Sequence, residues 1–535
     1  RQAGGVMWAW VALNGGVEVS ETTAPIVSHH GQRQNPVLLL RMWRHQPQVA
    51  TAGQTEANDR TMASDTERGE SEMTITTVKV NRMQYGVGQG GFHAQQIRRH
   101  NLPDGISAEA YRFVYDCGSD TGPLKSKATK PLNWAIEHFA GNSDRNQTEK
   151  ICVNSLYLSH FQKDHIDGAR RLAELVDLQE VVIPHLAKDQ FVHLLIQQIA
   201  SGEITELTEQ TREYVNTLAR AASDEALFEN IPTTRVMRDD SASDKQSPAG
   251  NPNQTDKGRD PLITHDLATV GTWAHDQSRI LTAHPEHNNN PDPQEFWELR
   301  VWSYAQANAV TAAVKAELEK LTALPKILEG LADLNELAWA IKNRTLIQEA
   351  YKQALKTAGT PYSADHNVVS LCLHSGPWNG TKLTRNRNCR LIPCLWIKKW
   401  LHSDGSWIGT GDALLREQGI WDTFKAHFSR DNRDRPKNWR TILMPHHGSV
   451  HNFNDALISG NVCHAVFSVG AFNKYKHPSM SVLEAVADAG VTCNVVTEFT
   501  RPGFFEHLTY ELPPPSNTKS THKSAGQADD HEAAP

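Results

Sequence analysis

Residues 151–168 constrain the fold and function of this chain more than any other segment. An apolar, β-rich run at 151–158 is followed by His160, Asp164 and His165, which fall within six positions. The run predicts a buried strand and the polar residues predict the loop at its end, where α/β proteins place their chemistry. Imidazole and carboxylate donors suit zinc, manganese or iron, and three donors leave a coordination position open. The segment therefore predicts a catalytic metal site. The alternative is a polar turn that closes the strand.

Three further segments place a possible metal ligand just after an apolar run. Asp412 lies on a Gly turn after one such run, His446 and His447 follow a second, and His477 follows a third and a short loop. Ligands that are far apart in the sequence must meet in space to hold one centre. We therefore expect these side chains to converge from separate strand ends.

In this order, the segments resemble the metallo-β-lactamase family, whose signature is His-x-His-x-Asp-His followed by an Asp and further His residues. They are most similar to the ComEC-type DNA-uptake hydrolase domain and to the phosphorylcholine esterases. The turn at 83–91 (MQYGVGQGG), the Asp-x-Gly at 116–118 and the ending at 467–478 also resemble that pattern. The resemblance covers roughly residues 74–510 and implies an α/β (α+β) fold, a four-layer αβ/βα metallo-β-lactamase sandwich.

The resemblance also implies one or two divalent ions, zinc or manganese, with Asp412 as the carboxylate that bridges them. Asp116 would orient a ligand from behind through a hydrogen bond. The implied ligands are His160 and His447 for the first ion, and Asp164, His165 and His477 for the second.

Three residues have open roles. Gln162 stands where the family has its second His, and an amide oxygen is a weaker donor than imidazole, so we expect one ion to be held less tightly. His446 is a candidate proton donor to the leaving group, or else a histidine hydrogen-bonded behind the ligands. Asp164 is a ligand with a possible second role as the base that takes a proton from water.

The chain has 535 residues, far more than the roughly 150 typical of one domain. Composition predicts a flexible N-terminal extension at 1–72, a hydrolase domain at 73–512 and a disordered tail at 513–535. A mainly helical insertion is expected at about 190–360, with a polar linker at 238–260 and amphipathic helices over 296–357. The insertion could cover the metal cleft, bind a protein partner or serve as scaffold.

Hydropathy and cysteine usage predict a cytoplasmic protein without a membrane segment. Mean hydropathy is −0.52, and no apolar stretch approaches the ~20 residues that span a bilayer. The short apolar run at 7–13 lacks the features of a signal peptide. The seven cysteines are scattered, which fits reduced thiols better than a disulfide framework.

The substrate is less constrained than the site. The net charge of −7, from 54 basic and 61 acidic residues, provides no global attraction to nucleic acid. A local basic stretch with tryptophans, 382–400, could contact a single strand or form a hairpin with a solvated tip. Three hypotheses remain: a phosphodiesterase or nuclease using a metal-activated water, a hydrolase of esters, thioesters or lactams on the same fold, and a non-catalytic module that binds a protein partner.

Overall fold

The computed structural model describes residues 77–100, 110–120, 131–141, 150–237, 263–265, 272–274, 278–283, 294–305, 308–321, 334–359, 369–378, 382–383, 405–429 and 439–511. Its strands are β1 (Thr77–Tyr85), β2 (His93–His100), β3 (Ala110–Tyr115), β4 (Cys152–Val153), β5 (Ser155–Tyr157), β6 (Asp177–Leu178), β7 (Val181–Pro184), β8 (Thr233–Met237), β9 (Ile263–His265), β10 (Thr272–Ala274), β11 (Ser278–Ala283), β12 (Gln294–Ala305), β13 (Val369–Pro377), β14 (Lys382–Leu383), β15 (Ser406–Gly409), β16 (Trp439–Leu443), β17 (His464–Ser468), β18 (Thr492–Val496) and β19 (Gly503–Glu511). Its helices are α1 (Pro131–Phe139), α2 (Lys163–Ile166), α3 (Ala169–Leu175), α4 (Lys188–Ser201), α5 (Glu209–Ala221), α6 (Asn308–Glu319), α7 (Leu334–Lys342), α8 (Arg344–Thr357), α9 (Gln418–Phe428) and α10 (Met480–Asp488), with 3₁₀ turns at Pro445–Gly448 and Asp455–Ile458.

Two large sheets carry most of the strands. The first has nine strands in the order β10-β8-β7-β5-β3-β2-β1-β19-β14, and the second has eight in the order β18-β17-β16-β15-β13-β12-β11-β9. In each sheet one half is antiparallel and the other is parallel, from β3 to β10 in the first and from β15 to β18 in the second. The parallel halves supply the strand ends at which ligand sites form.

The side chains of neighbouring strand residues point to opposite faces of each sheet and fill three apolar clusters. Phe113 of the first sheet and Trp407 of the second share the cluster between the sheets. Val114 faces outward, in the cluster that also holds residues of α1 and α3–α8. Ile408 faces the opposite way, towards α9 and α10. The layers are therefore helix, sheet, sheet and helix, which confirms the predicted α/β sandwich.

The predicted insertion is helical in part only. Residues 294–305 form the long strand β12 and not an amphipathic helix, because Phe296, Trp297, Leu299 and Val301 are aromatic or branched residues that pack well on a sheet. Strands β8–β12 extend both sheets, while α4–α8 pack on the outside of the first. The predicted extension at 1–72, the linker at 238–260 and the tail at 513–535 lie outside the described residues. Within the described residues, no helix is long and apolar enough to cross a membrane.

A buried ion-pair network joins the two sheets. Glu506 of β19 accepts hydrogen bonds from Arg82 of β1 at 3.1 Å and from Arg440 of β16 at 2.6 Å. Thr441 adds a third bond at 2.9 Å, and the Arg82 and Glu506 side chains have no exposed surface. Burial alone would raise the pKa of Glu506, but Arg440 and Arg82 outweigh burial and lower it to about 2.

We expect Glu506→Gln to lower the free energy of unfolding by about 3–5 kcal/mol, because it leaves two buried guanidinium groups without their counter-charge. The Glu506 pKa is lowered in the folded state, so its contribution is present above the unfolded-state value near 4.5 and is lost as the pH falls towards 2. Urea unfolding of both proteins between pH 7 and pH 3 measures this effect.

The control is Glu349→Gln, which removes the partner of Lys352 at 2.9 Å on the surface of α8. An exposed pair of this kind contributes at most about 1 kcal/mol. Equal stability losses for the two variants would show that Glu506 does not hold the sheets together.

Candidate metal centre

The predicted ligands lie at the carboxyl ends of parallel strands from both sheets. His160, Asp164 and His165 follow β5, Asp412 follows β15, and the remaining histidines follow β16 and β17. Because β5 belongs to the first sheet and the other three strands to the second, the donors meet across one end of the sandwich.

Asp412 lies between two sets of imidazoles. Its Oδ2 is 3.6 Å from His160 Nε2 and 3.7 Å from His446 Nε2. Its Oδ1 is 3.8 Å from His165 Nε2. Zinc–ligand bonds of about 2.0–2.2 Å separate the atoms of a tetrahedral set by roughly 3.3–3.6 Å. The Asp412 distances therefore suit donors that share a cation better than they suit hydrogen bonds.

The Asp164 carboxylate also lies close to two histidines. Its Oδ2 lies 3.3 Å from His447 Nε2 and 3.8 Å from His165 Nε2. Two sets of donors have ligand atoms that all lie within 4.8 Å of one another: His160, Asp164 and His165, and then His165, Asp412 and His447. Both sets contain His165, whose Nε2 can bind one ion only, so the two sets are overlapping parts of one centre.

A single buried carboxylate orients two of these histidines. Asp116 Oδ2 accepts from His165 Nδ1 at 2.8 Å and from the Ser159 hydroxyl at 2.8 Å. The Ser159 hydroxyl has then used its proton, so it accepts from His160 Nδ1 at 2.9 Å. The Nδ1 atoms of both rings carry the proton, and in neutral imidazoles their Nε2 atoms present lone pairs to the centre.

Hydrogen bonds also place the proton of His446 and of His447 on Nδ1. Asn452 donates from Nδ2 to the Asp412 carbonyl at 2.8 Å, so its Oδ1 faces His446 Nδ1, which donates to it at 3.1 Å. His447 Nδ1 donates to the Ser468 carbonyl at 2.6 Å. Four histidines thus expose Nε2 to the same space. In that tautomer each Nε2 carries the lone pair that a metal ion would bind.

The charges around the centre favour a cation. Burial and the neighbouring His165 lower the pKa of His160 to about 4. Burial would raise the pKa of Asp412, but the surrounding histidines outweigh burial and hold it well below its usual range. Asp116 and Asp412 are each 1% exposed, so negative charge accumulates out of water. His165 Nε2 is also buried without a hydrogen-bond partner. Divalent ions would neutralise that charge and occupy that nitrogen.

Glycines allow close packing between the turn at 86–91 and the loop that follows β5. We call this loop, which carries His160, Asp164 and His165, the metal-binding loop after its predicted role. A Cβ on Gly118 would lie 2.5 Å from the backbone nitrogen of His165, and one on Gly90 would lie 2.4 Å from the Asp164 carbonyl oxygen. Gly91 N donates to that same carbonyl at 3.1 Å. The Gly-rich turn therefore serves the site by close backbone packing.

Left-handed backbone conformations are concentrated here. His446 and His447 have φ values of 44° and 56°, and Asp116 has a φ of 59°. Such conformations cost free energy in residues other than glycine and persist where the surroundings enforce them. Their occurrence at both the candidate ligands and their supporting carboxylate marks the region as a functional site.

Two of the predicted ligands are placed in ways that the sequence did not indicate. His447 Nε2 faces Asp164 and His446 Nε2 lies beside Asp412, while the expected sharing of one ion by His160 and His447 stays a prediction. His477 belongs to neither compact donor set, and its ring centroid lies 5.3 Å from that of His446. The ligand roles themselves stay predictions.

Gln162 lies beside His160, and three residues that support the candidate ligands were not predicted from the sequence. Gln162 Oε1 lies 3.2 Å from His160 Nε2, so it can serve as a weak donor at the expected position. Ser159 and Asn452 were missed, since nothing in a single sequence marks either as a hydrogen-bond partner of a ligand. Tyr214 of α5 was also missed; its hydroxyl donates to the Phe161 carbonyl at 2.6 Å, so the predicted insertion supports the metal-binding loop.

Comparison with solved structures finds a similarity to the crystal structure of the metallo-β-lactamase fold protein YhfI from Bacillus subtilis. The match covers 81% of this chain and 99% of that chain at 11% sequence identity, with a TM-score of 0.27. A similarity this low carries no argument for function. No protein-family model and no curated protein matches the chain.

We expect Asn452→Leu to weaken the binding of zinc by about 10- to 100-fold, because His446 loses the acceptor that fixes its tautomer. Asn452→Asp should retain more affinity, since a carboxylate still accepts from His446 Nδ1. Isothermal titration of the metal-free proteins measures both. Asn454→Ala is the matched control, because Asn454 bonds to backbone atoms of Leu415 and Ala456. Affinities equal to wild type for all three variants would contradict the role of Asn452.

Replacing Gln162 by His should strengthen the weaker of the two ion sites, since imidazole is a better donor than an amide for zinc. The wild-type protein should therefore release one ion at a lower chelator concentration than the other, while Gln162→His should narrow that difference. Metal content after graded dialysis against chelator shows the outcome. Two equally tight sites in the wild-type protein would contradict the prediction.

Proposed function

We propose that this protein is a metal-dependent phosphodiesterase that binds two divalent ions, most favourably zinc, at the centre around Asp412. One observation carries the proposal: the two oxygens of the buried Asp412 carboxylate face different histidines, Oδ2 towards His160 and His446 and Oδ1 towards His165. A carboxylate shared in this way is the bridge that two-ion hydrolases require. His160, Gln162 and His446 would hold one ion, and Asp164, His165 and His447 the other.

When bound, a pair of divalent ions lowers the pKa of a water molecule and clamps both the attacking and the leaving oxygen of an in-line displacement. The protein itself keeps the donors in place. Asp116 and Ser159 orient His160 and His165, while Asn452 and the Ser468 carbonyl orient the other two. These bonds fix the donors before substrate arrives, so little reorganisation is needed during the reaction.

The proton roles follow from the same contacts. His446 directs Nδ1–H at Asn452 and Nε2 at Asp412, so we assign it a ligand role and not that of proton donor to the leaving group. Burial would raise the pKa of Asp164, but His165 and His447 lower it well below its usual range, which makes Asp164 a poor base and a good ligand. His477, which is half-buried and lies beside His446, is the better candidate to contact substrate.

Phosphodiesters fit this centre better than carboxylic esters, because two ions stabilise a phosphoryl group that carries charge on several oxygens. The sequence resemblance to DNA-uptake hydrolase domains and phosphorylcholine esterases supports the same class. A nuclease of the ComEC type is the specific form of this proposal.

Metal-loaded protein should hydrolyse bis-p-nitrophenyl phosphate, and chelation should abolish the activity until zinc or manganese is returned. Asp412→Ala should lose both the ions and the turnover, whereas Asp422→Ala, an exposed carboxylate on α9, should lose neither. Hydrolysis of p-nitrophenyl acetate or a lactam without any phosphodiesterase activity would reject the proposal in favour of an ester or lactam hydrolase.

His446→Ala distinguishes a ligand from a general acid. A ligand's loss should reduce metal content and should lower turnover on substrates with good and poor leaving groups alike. A proton donor's loss would spare p-nitrophenyl substrates, whose leaving group needs no proton, and would leave metal content unchanged. We expect the first result, measured by metal analysis and by comparing p-nitrophenyl with alkyl phosphodiesters.

A further inference from the structure

Exposed phenylalanines lie on the same edge of the sandwich as His477. Phe472 is 88% exposed and Phe499 is 61% exposed, and their rings form a T-shaped contact with centroids 6.2 Å apart. Phe472 follows β17 and Phe499 follows β18, and these strands are parallel neighbours, so both loops leave the same edge of the second sheet. Two exposed aromatic rings in mutual contact form an apolar patch, and such patches are typical of surfaces that bind a ligand or partner.

Two cations of these loops lie over aromatic rings. Lys474 Nζ lies 4.8 Å from the ring centroid of Tyr475, and the Arg501 guanidinium lies 4.9 Å from that of Trp134. We call Phe472, Tyr475 and Phe499 the aromatic rim. Tyr475 stacks on His477 with centroids 6.0 Å apart, and His477 contacts His446, so the aromatic rim leads directly to the candidate metal centre.

The aromatic rim is held in place by the loop beneath it. Asn473 donates from Nδ2 to the carbonyls of Gly470 and His477 at 2.8 and 2.7 Å, and its Oδ1 accepts from His477 N at 2.9 Å. Ala471 N donates to the buried Glu498 carboxylate at 2.9 Å, which ties the Phe472 loop to the Phe499 loop. A fixed platform binds a flat ligand at a smaller entropy cost than a mobile one.

We propose that the aromatic rim is a subsite that stacks an unpaired base of a single-stranded nucleic acid, with the exposed Lys474, Lys476 and Arg501 contacting its phosphates. The inference rests on the phosphodiesterase function proposed above and names the substrate class of that centre. Aromatic platforms interleaved with cations are how proteins bind single strands without reading sequence. A duplex keeps its bases inside, so these exposed rings can reach only an unpaired base.

Positive charge that could bind phosphates is concentrated on the loops that carry the aromatic rim. Three cationic side chains, Lys474, Lys476 and Arg501, are exposed on these loops, and the carboxylate of Glu498 is buried and occupied by a backbone N–H. Asp120 faces Lys474 and offsets part of its charge. The net charge of −7 over the whole chain gives no general attraction to polyanions, so binding should depend on this surface.

Substitutions at Phe472 separate base stacking from apolar docking. Phe472→Leu keeps an apolar side chain but removes the flat ring, while Phe472→Trp keeps the ring. Phe505→Leu is the matched control, because Phe505 is a 43% exposed phenylalanine on β19 outside the aromatic rim. The probe is a fluorescein-labelled phosphorothioate dT12 strand, which resists hydrolysis, and the readout is fluorescence anisotropy with the metal-loaded protein.

We expect Phe472→Leu to weaken dT12 binding by about 10-fold, and Phe472→Trp and Phe505→Leu to bind within about 2-fold of wild type. Wild-type affinity in Phe472→Leu would overturn the subsite. A second result would also overturn it: the protein binds anionic lipid vesicles more tightly than dT12, and Phe472→Leu does not weaken the binding to vesicles. An apolar membrane contact does not need a flat ring.

A kinetic comparison separates failure of the subsite from failure of the proposed function. Thymidine 5′-(p-nitrophenyl phosphate) and methyl p-nitrophenyl phosphate share a leaving group, and only the first carries a base. Phe472→Leu should raise KM for the thymidine ester about 10-fold and leave both the methyl ester kinetics and the metal content unchanged. If wild type hydrolyses neither ester, the phosphodiesterase proposal fails. If Phe472→Leu affects both esters equally, the subsite fails alone.

Discussion

The candidate centre depends on one buried carboxylate, Asp116. It accepts from His165 directly and from Ser159, which in turn accepts from His160, so one negative charge sets the protonated nitrogen of two rings. Its Oδ1 also accepts from the Ser159 backbone at 2.6 Å, which holds the start of the metal-binding loop. A buried anion is tolerated only when its bonds are satisfied, and these bonds are what give the two imidazoles a defined direction.

The sandwich supplies a second constraint of the same kind. Glu506 binds arginines from both sheets, and the candidate metal centre contains histidines and carboxylates from both sheets. Each group of charges is costly to bury unless its partners are present. The two sheets must therefore dock in one register to satisfy the arginines, and that same register brings Asp412 opposite His160 and His165.

Local sequence signals predicted the parts of the fold that depend on short-range chemistry. The apolar run before His160 and the apolar pairs before Asp412 and His447 are strands, because their side chains are buried on both faces. The prediction of a helix over residues 296–305 is wrong, because their apolar residues fit a strand as well as a helix and the pairing with β11 and β13 selects the strand. Long-range hydrogen bonds such as Asn452 to His446 follow from tertiary structure and left no pattern to find.

The adjacent histidines His446 and His447 show most clearly what the sequence alone could not predict about the site. The resemblance implies His447 as a ligand, while His446 is left as a proton donor or as a histidine hydrogen-bonded behind the ligands. Both residues instead adopt left-handed backbone conformations, with φ values of 44° and 56°, and both Nε2 atoms turn towards carboxylates. Under the proposed function, in which His446 is a ligand, proton delivery and substrate contact would fall to groups at the edge of the centre. His477 and the aromatic rim lie there, because His477 contacts His446 and Tyr475 stacks on His477, so the loop that follows β17 is where the proposal places substrate recognition.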